Sequence, residues 1–173
     1  MQCARFILEF LKSPKEVGTF TQSSQPLARQ IANEIDGSIN IIEFGAGTGP
    51  VTLEILRHLP ENGRLTCFET NPRFCECLEK LNDSRLKVIN DDAANCKQYV
   101  DRLECVVSGL PLAMFEKSKR EEILDITSES ERFIQLQYSP VLRKKIKNYF
   151  SDVKMKFMPF NFPPAFIYIC SSS

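Results

Sequence analysis

Four acidic residues and three alternate glycines stand where apolar runs of this sequence give way to turns. Ile39-Asn40-Ile41-Ile42 ends at Glu43, and Phe44-Gly45-Ala46-Gly47-Thr48-Gly49 follows at once. Leu65-Thr66-Cys67-Phe68 ends at Glu69-Thr70, Leu86 to Asn90 ends at Asp91-Asp92-Ala93, and Cys105-Val106-Val107 ends at Ser108-Gly109-Leu110-Pro111. Glycines 45, 47 and 49 leave room for a polar ligand against backbone N–H groups. A carboxylate is a bidentate acceptor, so Glu69 suits the two hydroxyls of a ribose. Asp92 can accept from an adenine amino group, with neighbouring N–H groups as donors. Each acid alone could be a solvated strand end or a helix cap. Their recurrence at successive strand ends points to a nucleoside site.

The elements that must position these residues follow from periodicity. Ile39 to Glu43 reads as a buried strand, with a helix from Pro50 to about Leu59, stopped by Pro60. Leu65 to Glu69 is a second strand, and Asn71-Pro72 opens a helix bearing Phe74, Cys77, Leu78 and Leu81. Arg85 to Asn90 forms a short third strand, a helix spans about Ala93 to Val100, and Leu103 to Val107 is the fourth strand. Residues 114 to 126 predict an amphipathic helix, Arg132 to Gln137 a fifth strand, and Val141 to Phe150 a helix begun at Ser139-Pro140. Val153 to Met158 and Ala165 to Cys170 have no helix between them and should pair as an antiparallel hairpin. The expected fold is α/β: a doubly wound, seven-stranded, mainly parallel sheet with an antiparallel closing strand, in three layers. Ligands of such sheets sit beyond the carboxyl ends of the strands, where all of these acids fall.

Upstream, Ser23 or Ser24 can cap a helix with Leu27, Ala28, Ile31, Ala32 and Ile35 inward and Gly37 at its end. Residues 2 to 11 place Cys3, Phe6, Ile7, Phe10 and Leu11 on one helical face, which suits packing on the body or lying in a membrane interface. The division is therefore 1–22, an amphipathic helix and loop, and 23–173, one globular domain.

The 173 residues balance 22 basic against 22 acidic side chains, so overall charge does not argue for a nucleic-acid partner. Seven cysteines in no zinc-like spacing, several inside apolar runs, read as reduced and buried, with no metal site expected. No stretch is long and apolar enough for a membrane span, and no secretory signal is evident. The expectation is a cytoplasmic monomer, peripheral at most. His58, the single histidine, lies at a helix end and reads as a surface residue rather than a base.

Taken in series, Glu43 to Gly49, Glu69, Asn90 to Ala93 and Ser108 to Pro111 resemble the class I S-adenosylmethionine-dependent methyltransferases. The resemblance spans nearly the whole chain and includes the closing hairpin, which separates that fold from NAD-binding Rossmann domains. It implies S-adenosylmethionine as cofactor, held by Glu43, Gly45, Ala46, Gly47, Thr48, Gly49, Glu69, Thr70, Asp91, Asp92, Ala93, Ser108, Gly109 and Leu110.

Within that superfamily the chain most resembles the bacterial phospholipid N-methyltransferases. The matching segments are Phe10-Leu11-Lys12-Ser13, Gly18, Ser23-Ser24, Leu27-Ala28-Arg29, Val106 to Leu112, Gln135 to Pro140 and Asn161 to Ala165. This implies methylation of the amine of phosphatidylethanolamine towards phosphatidylcholine, at a phospholipid or membrane surface on the inner face of the membrane. Relatives that dimethylate ribosomal RNA adenines share the glycine loop and acids, but have Asn-(Leu/Ile)-Pro and an aromatic after the fourth strand. Here Ser108-Gly109-Leu110-Pro111-Leu112 has neither the Asn nor the aromatic, so RNA or a small molecule is the alternative acceptor. Tyr138 is the candidate contact for the methylated ammonium, with Phe20 and Phe115 behind it. The residues 2–11 and the basic run Arg143-Lys144-Lys145 with Lys147 are the candidate membrane contacts.

Overall fold

The structure is a computed structural model, described here for residues 24–172. The expected N-terminal helix, and Phe20 with it, lie outside the described residues. Seven strands form one sheet: β1 (Asn40–Phe44), β2 (Arg64–Phe68), β3 (Leu86–Ile89), β4 (Cys105–Ser108), β5 (Arg132–Gln137), β6 (Asp152–Met158) and β7 (Ala165–Ser171). Their spatial order is β3-β2-β1-β4-β5-β7-β6. The first five are parallel, and β7 runs antiparallel to both β5 and β6. The expected doubly wound sheet and closing hairpin are both borne out.

Winding outward from β1 to β3 and then back to β4 places the reversal of direction between β1 and β4. Crossovers above and below the sheet diverge there, which opens a crevice beyond the strand ends. Glycines 45 to 49 leave β1 and residues 108 to 111 leave β4 at that point.

Five α-helices are present among the described residues: α1 (Gln25–Asn33), α2 (Pro50–His58), α3 (Pro72–Glu79), α4 (Lys117–Ser128) and the single turn α5 (Arg143–Ile146). Proline stands in the first turn of α1, α2 and α3, where its missing N–H costs nothing. Ser24 and Asn71 accept from the Leu27 and Arg73 amides to cap α1 and α3. Two buried clusters lie on opposite faces of the sheet. Leu27, Ile31, Ile55 and Leu78 of the first three helices pack on Ile41, Leu65 and Ile134. Ile123, Leu124 and Ile146 of α4 and α5 pack on Phe44, Val106, Phe133 and Tyr168. Alternate residues of each strand serve opposite faces, which makes the three layers.

Three expected helices differ. Ala93–Gln98 is a 3-10 helix rather than an α-helix, because Asp91 and Asp92 bond locally with Asn95 and the Ala94 amide and tighten the chain. The helix expected from residue 114 starts only at Lys117, since Leu112, Met114 and Phe115 amides close short turns first. The helix expected over 141–150 is broken into a 3-10 turn Pro140–Leu142, α5, and i→i+3 turns at Asn148 and Tyr149. The six described cysteines are buried. No described helix is long and apolar enough to cross a membrane.

Candidate functional site

The glycine loop turns sharply because three of its residues take positive φ: Gly45 at 71°, Gly47 at 56° and Gly49 at 85°. At Gly45 a Cβ would fall 2.8 Å from a methyl of Leu110, so the β1 and β4 loops touch only because that side chain is absent. At Gly47 a Cβ would meet nothing within 4 Å. The loop is closed on the protein at Gly45 and open at Gly47.

Glu69 stands against the loop at the Gly47 amide. Its Oε2 accepts from the Gly47 amide and its Oε1 from the Asn71 amide, both at 2.8 Å. One carboxylate therefore joins the glycine loop to the cap of α3. Each oxygen has a further lone pair for a ligand hydroxyl, and the residue is 9% exposed. Thr70, next along, is exposed. The Thr48 hydroxyl is buried with no hydrogen-bond partner. An orphaned hydroxyl, an open glycine and a shielded bidentate acceptor together fit the ribosyl part of S-adenosylmethionine.

Glu43 lies beneath the loop. The Thr52 hydroxyl donates to its Oε2 at 2.7 Å, and the Cys67 thiol, on the facing β2 position, donates at 3.2 Å. Burial lifts the carboxyl to about 7, against the pull of those two donors, with Glu69 adding to the rise. The same burial, with Glu43 alongside, holds the Cys67 thiol well above its ordinary value.

Beyond β3, Asn90 donates to the Glu69 and Thr70 carbonyls at 2.9 and 3.1 Å and so fastens this strand end to the previous one. Asp91 accepts from Tyr99 and Asn95 and from the Asp92 amide, which keeps its carboxyl below the usual range. Its oxygens are engaged within the protein. Asp92 accepts from the Ala94 amide at 2.8 Å and pairs with Lys119 of α4 at 2.9 Å, with Ala93 buried behind it. Tyr99, at 41% exposure, sets its ring edge-on to Phe68, 5.7 Å between centroids, beside these acids.

The β4 loop is held from β5. Gln135 Nε2 donates to the carbonyls of Ser108 at 3.1 Å and Leu110 at 3.0 Å, and Gln137 Nε2 donates to Leu110 at 2.9 Å. Gly109 closes the other side, its amide 2.9 Å from the Phe44 carbonyl. Ser108 is buried at the base of the segment, while Gly109 is exposed at its top. Tyr138 follows β5, half-buried against the first core cluster, two strands from the glycine loop.

The fold thus brings together the glycine loop, Glu43, Glu69, Asp91 to Ala93 and Ser108 to Leu110, and sets Tyr138 further along the same edge. Reasoning from sequence missed Thr52, Tyr99, Lys119 and the glutamine pair. Gln135 and Gln137 were detectable: two polar residues two apart in an apolar strand mark a face with something to bond. His58 is exposed at the far end of α2, its ring nitrogen 2.7 Å from the Glu54 carbonyl. Among the described residues no cluster could hold a metal. A groove of about 360 Å³ lies at the opposite end of β5 to β7, crossed by the ion pairs Arg132–Asp36 and Lys156–Glu34, away from all of these groups.

No protein-family model matches the chain. Among curated proteins it is similar to an ornithine lipid N-methyltransferase of Singulisphaera acidiphila, 27% identical over 95% of this chain and 93% of that one. Among solved structures it superposes on a precorrin-6y C5,15-methyltransferase from Geobacter metallireducens with a TM-score of 0.69, at 15% identity over 91% of this chain and 92% of that one. An rRNA methylase from Streptococcus thermophilus gives 0.62 at 15% identity, over 90% of this chain and all of that one. The 23S rRNA methyltransferase ErmE gives 0.64 at 15%, over 90% of this chain and 70% of that one. The fold is that of the class I methyltransferases. The resemblance to lipid N-methyltransferases is borne out, with ornithine lipid as the lipid named for the relative.

Proposed function

We propose that this chain transfers a methyl group from S-adenosylmethionine to the amine of a membrane lipid head group, acting at the inner face of the membrane. The observation that carries this reading is similarity along nearly the full length of both chains to a lipid N-methyltransferase, combined with a glycine loop that is open at Gly47 and bonded through the Gly47 amide to Glu69. The cofactor, when bound, supplies a methyl group already activated on a sulfonium.

The chain's own work is placement. Glu69 and the Gly47 amide would hold the ribose; the stretch from Asp91 to Ala93 would meet the base. Glu43 beneath the loop and Thr52 fix the loop's height. Gln135 and Gln137 fix the segment Ser108–Leu110, which forms the β4 side of the crevice. Orientation of this kind is worth about 7–11 kcal/mol in favourable cases. The accepting amine must be neutral to attack, which a crevice walled by buried residues favours. The aromatic face of Tyr138 suits the ammonium that results.

Phosphatidylethanolamine is the head group implied by the sequence segments, and ornithine lipid the one named for the relative. Both present an amine on a lipid, so the two are tested side by side. Purified protein is incubated with methyl-labelled S-adenosylmethionine and vesicles of either lipid, then extracted. Label should enter the lipid fraction, and the preferred head group is the one labelled faster. Absence of lipid label from a protein shown to bind the cofactor overturns the reading. Label entering added ribosomal RNA instead would favour RNA as the acceptor, the substrate class named for the fold neighbour ErmE.

A further inference from the structure

Phe160 and Phe162, at the tip of the β6–β7 hairpin, are 102% and 95% exposed. Scattered apolar residues at a surface need no explanation, but two fully extended phenylalanines two apart do. The residue between them explains their direction. Asn161 is 6% exposed: its Nδ2 donates to the Pro163 carbonyl at 2.6 Å, and its Oδ1 accepts from the Ser24 hydroxyl at 2.7 Å. Asn161 is turned in and pinned to the cap of α1, so its two neighbours are turned out.

The tip lies at the site's end of the sheet. Met158 pairs with Ala165, and Phe166 pairs with Gln137, next to Tyr138. Phe157, 53% exposed, packs its ring on Phe166 at 4.9 Å and continues the apolar surface down the hairpin. Met114 and Val141, in the connections leaving β4 and β5 at the same end, are 73% and 68% exposed. Arg143, Lys144 and Lys147 follow directly and are exposed. Lys145 is taken by Glu121 and Lys119 by Asp92, but among the described residues no ion pair takes those three. Projecting aromatics, with exposed cations at the same end of the sheet, match the two zones of an anionic bilayer: rings go below the head groups, and ammonium and guanidinium groups stay among the phosphates.

We propose that residues 159–164 are a bilayer-docking tip, which inserts Phe160 and Phe162 into an anionic phospholipid surface and sets the mouth of the crevice against the head groups. Its purpose rests on the lipid-amine reading above; its test does not. Both rings are outside the core, so Phe160→Ser with Phe162→Ser should leave the fold intact. In sedimentation with vesicles of phosphatidylethanolamine and phosphatidylglycerol, binding should weaken about tenfold for each ring lost. Unweakened binding by the double variant overturns the proposal. Since the chain has no tryptophan, Phe160→Trp places a single reporter at the tip. Its emission should shift to the blue when those vesicles are added; unmoved emission in protein that sediments with them overturns the tip as the contact. A concentration-dependent dimer that the double variant abolishes would make a second copy the occupant and also overturn it. The two readings separate in detergent micelles containing the lipid amine, where the double variant should methylate as fast as the unaltered chain. A protein that docks through Phe160 yet methylates no lipid would remove the substrate reading and leave the tip standing.

Discussion

Replacing Glu69 by glutamine tests the ribose assignment most directly, because both of its oxygens are engaged. Oε2 and Oε1 receive the Gly47 and Asn71 amides at equal distances of 2.8 Å. A glutamine has one oxygen and one NH2, so whichever way it turns, one backbone N–H faces another donor. A hydrogen bond to a charged acceptor contributes about 1.5–3 kcal/mol, and an amide left facing a donor adds to the loss. The variant also lacks the second acceptor that a pair of hydroxyls needs. Affinity for S-adenosylmethionine should fall about 10- to 100-fold, since each 1.4 kcal/mol is a factor of ten. Glu69→Asp separates charge from reach: it keeps the charge, but one methylene shorter it cannot span both amides, and affinity should fall there too. Isothermal titration calorimetry with S-adenosylmethionine gives both dissociation constants, and circular dichroism checks that the variants are folded. A folded Glu69→Gln variant with unchanged affinity would refute both the ribose role and the argument that this carboxylate shapes the loop.

Two further outcomes follow from buried groups. Glu43 is raised from 4.5 to about 7, so between those values the folded chain binds the proton that the unfolded chain releases. Its protonation contributes stability that is fully present below about pH 4.5 and lost as pH rises through about 7, on the order of 3 kcal/mol. Glu43→Gln keeps an acceptor for Thr52 and should gain on the unaltered chain across that window in urea denaturation; a constant difference between the two would show that Glu43 does not titrate there. The Tyr168 hydroxyl is buried with no partner, as is Oε1 of its cross-strand neighbour Gln135. Tyr168→Phe removes an uncompensated polar group and should stabilise the fold by about 1 kcal/mol in the same measurement. A comparable loss of stability would mean that the hydroxyl is engaged.

Much of this was open to reading in one dimension because it depends on neighbours in the chain. Alternation and apolar runs located all seven strands, and glycines, prolines and caps located the turns. The acids at strand ends were visible because parallel strands all finish at one edge. Where reading failed, local chemistry competed with periodicity: side-chain bonds around Asp91 and Asp92 turned an expected helix into a 3-10 turn, and successive short turns broke the helix expected after β5.

The sequence by itself therefore determined the fold class, the edge of the sheet on which the candidate site lies, and the ribose and adenine chemistry that the residues there suit. Tertiary structure alone decided which atoms meet. Glu69 bonds an amide 22 residues away, Gln135 holds a carbonyl 27 away, and Asn161 reaches a hydroxyl 137 away. It also decided that Phe160 and Phe162 face water. A phenylalanine in a sequence reads as core, and its exposure becomes apparent only once every packing surface has been filled without it.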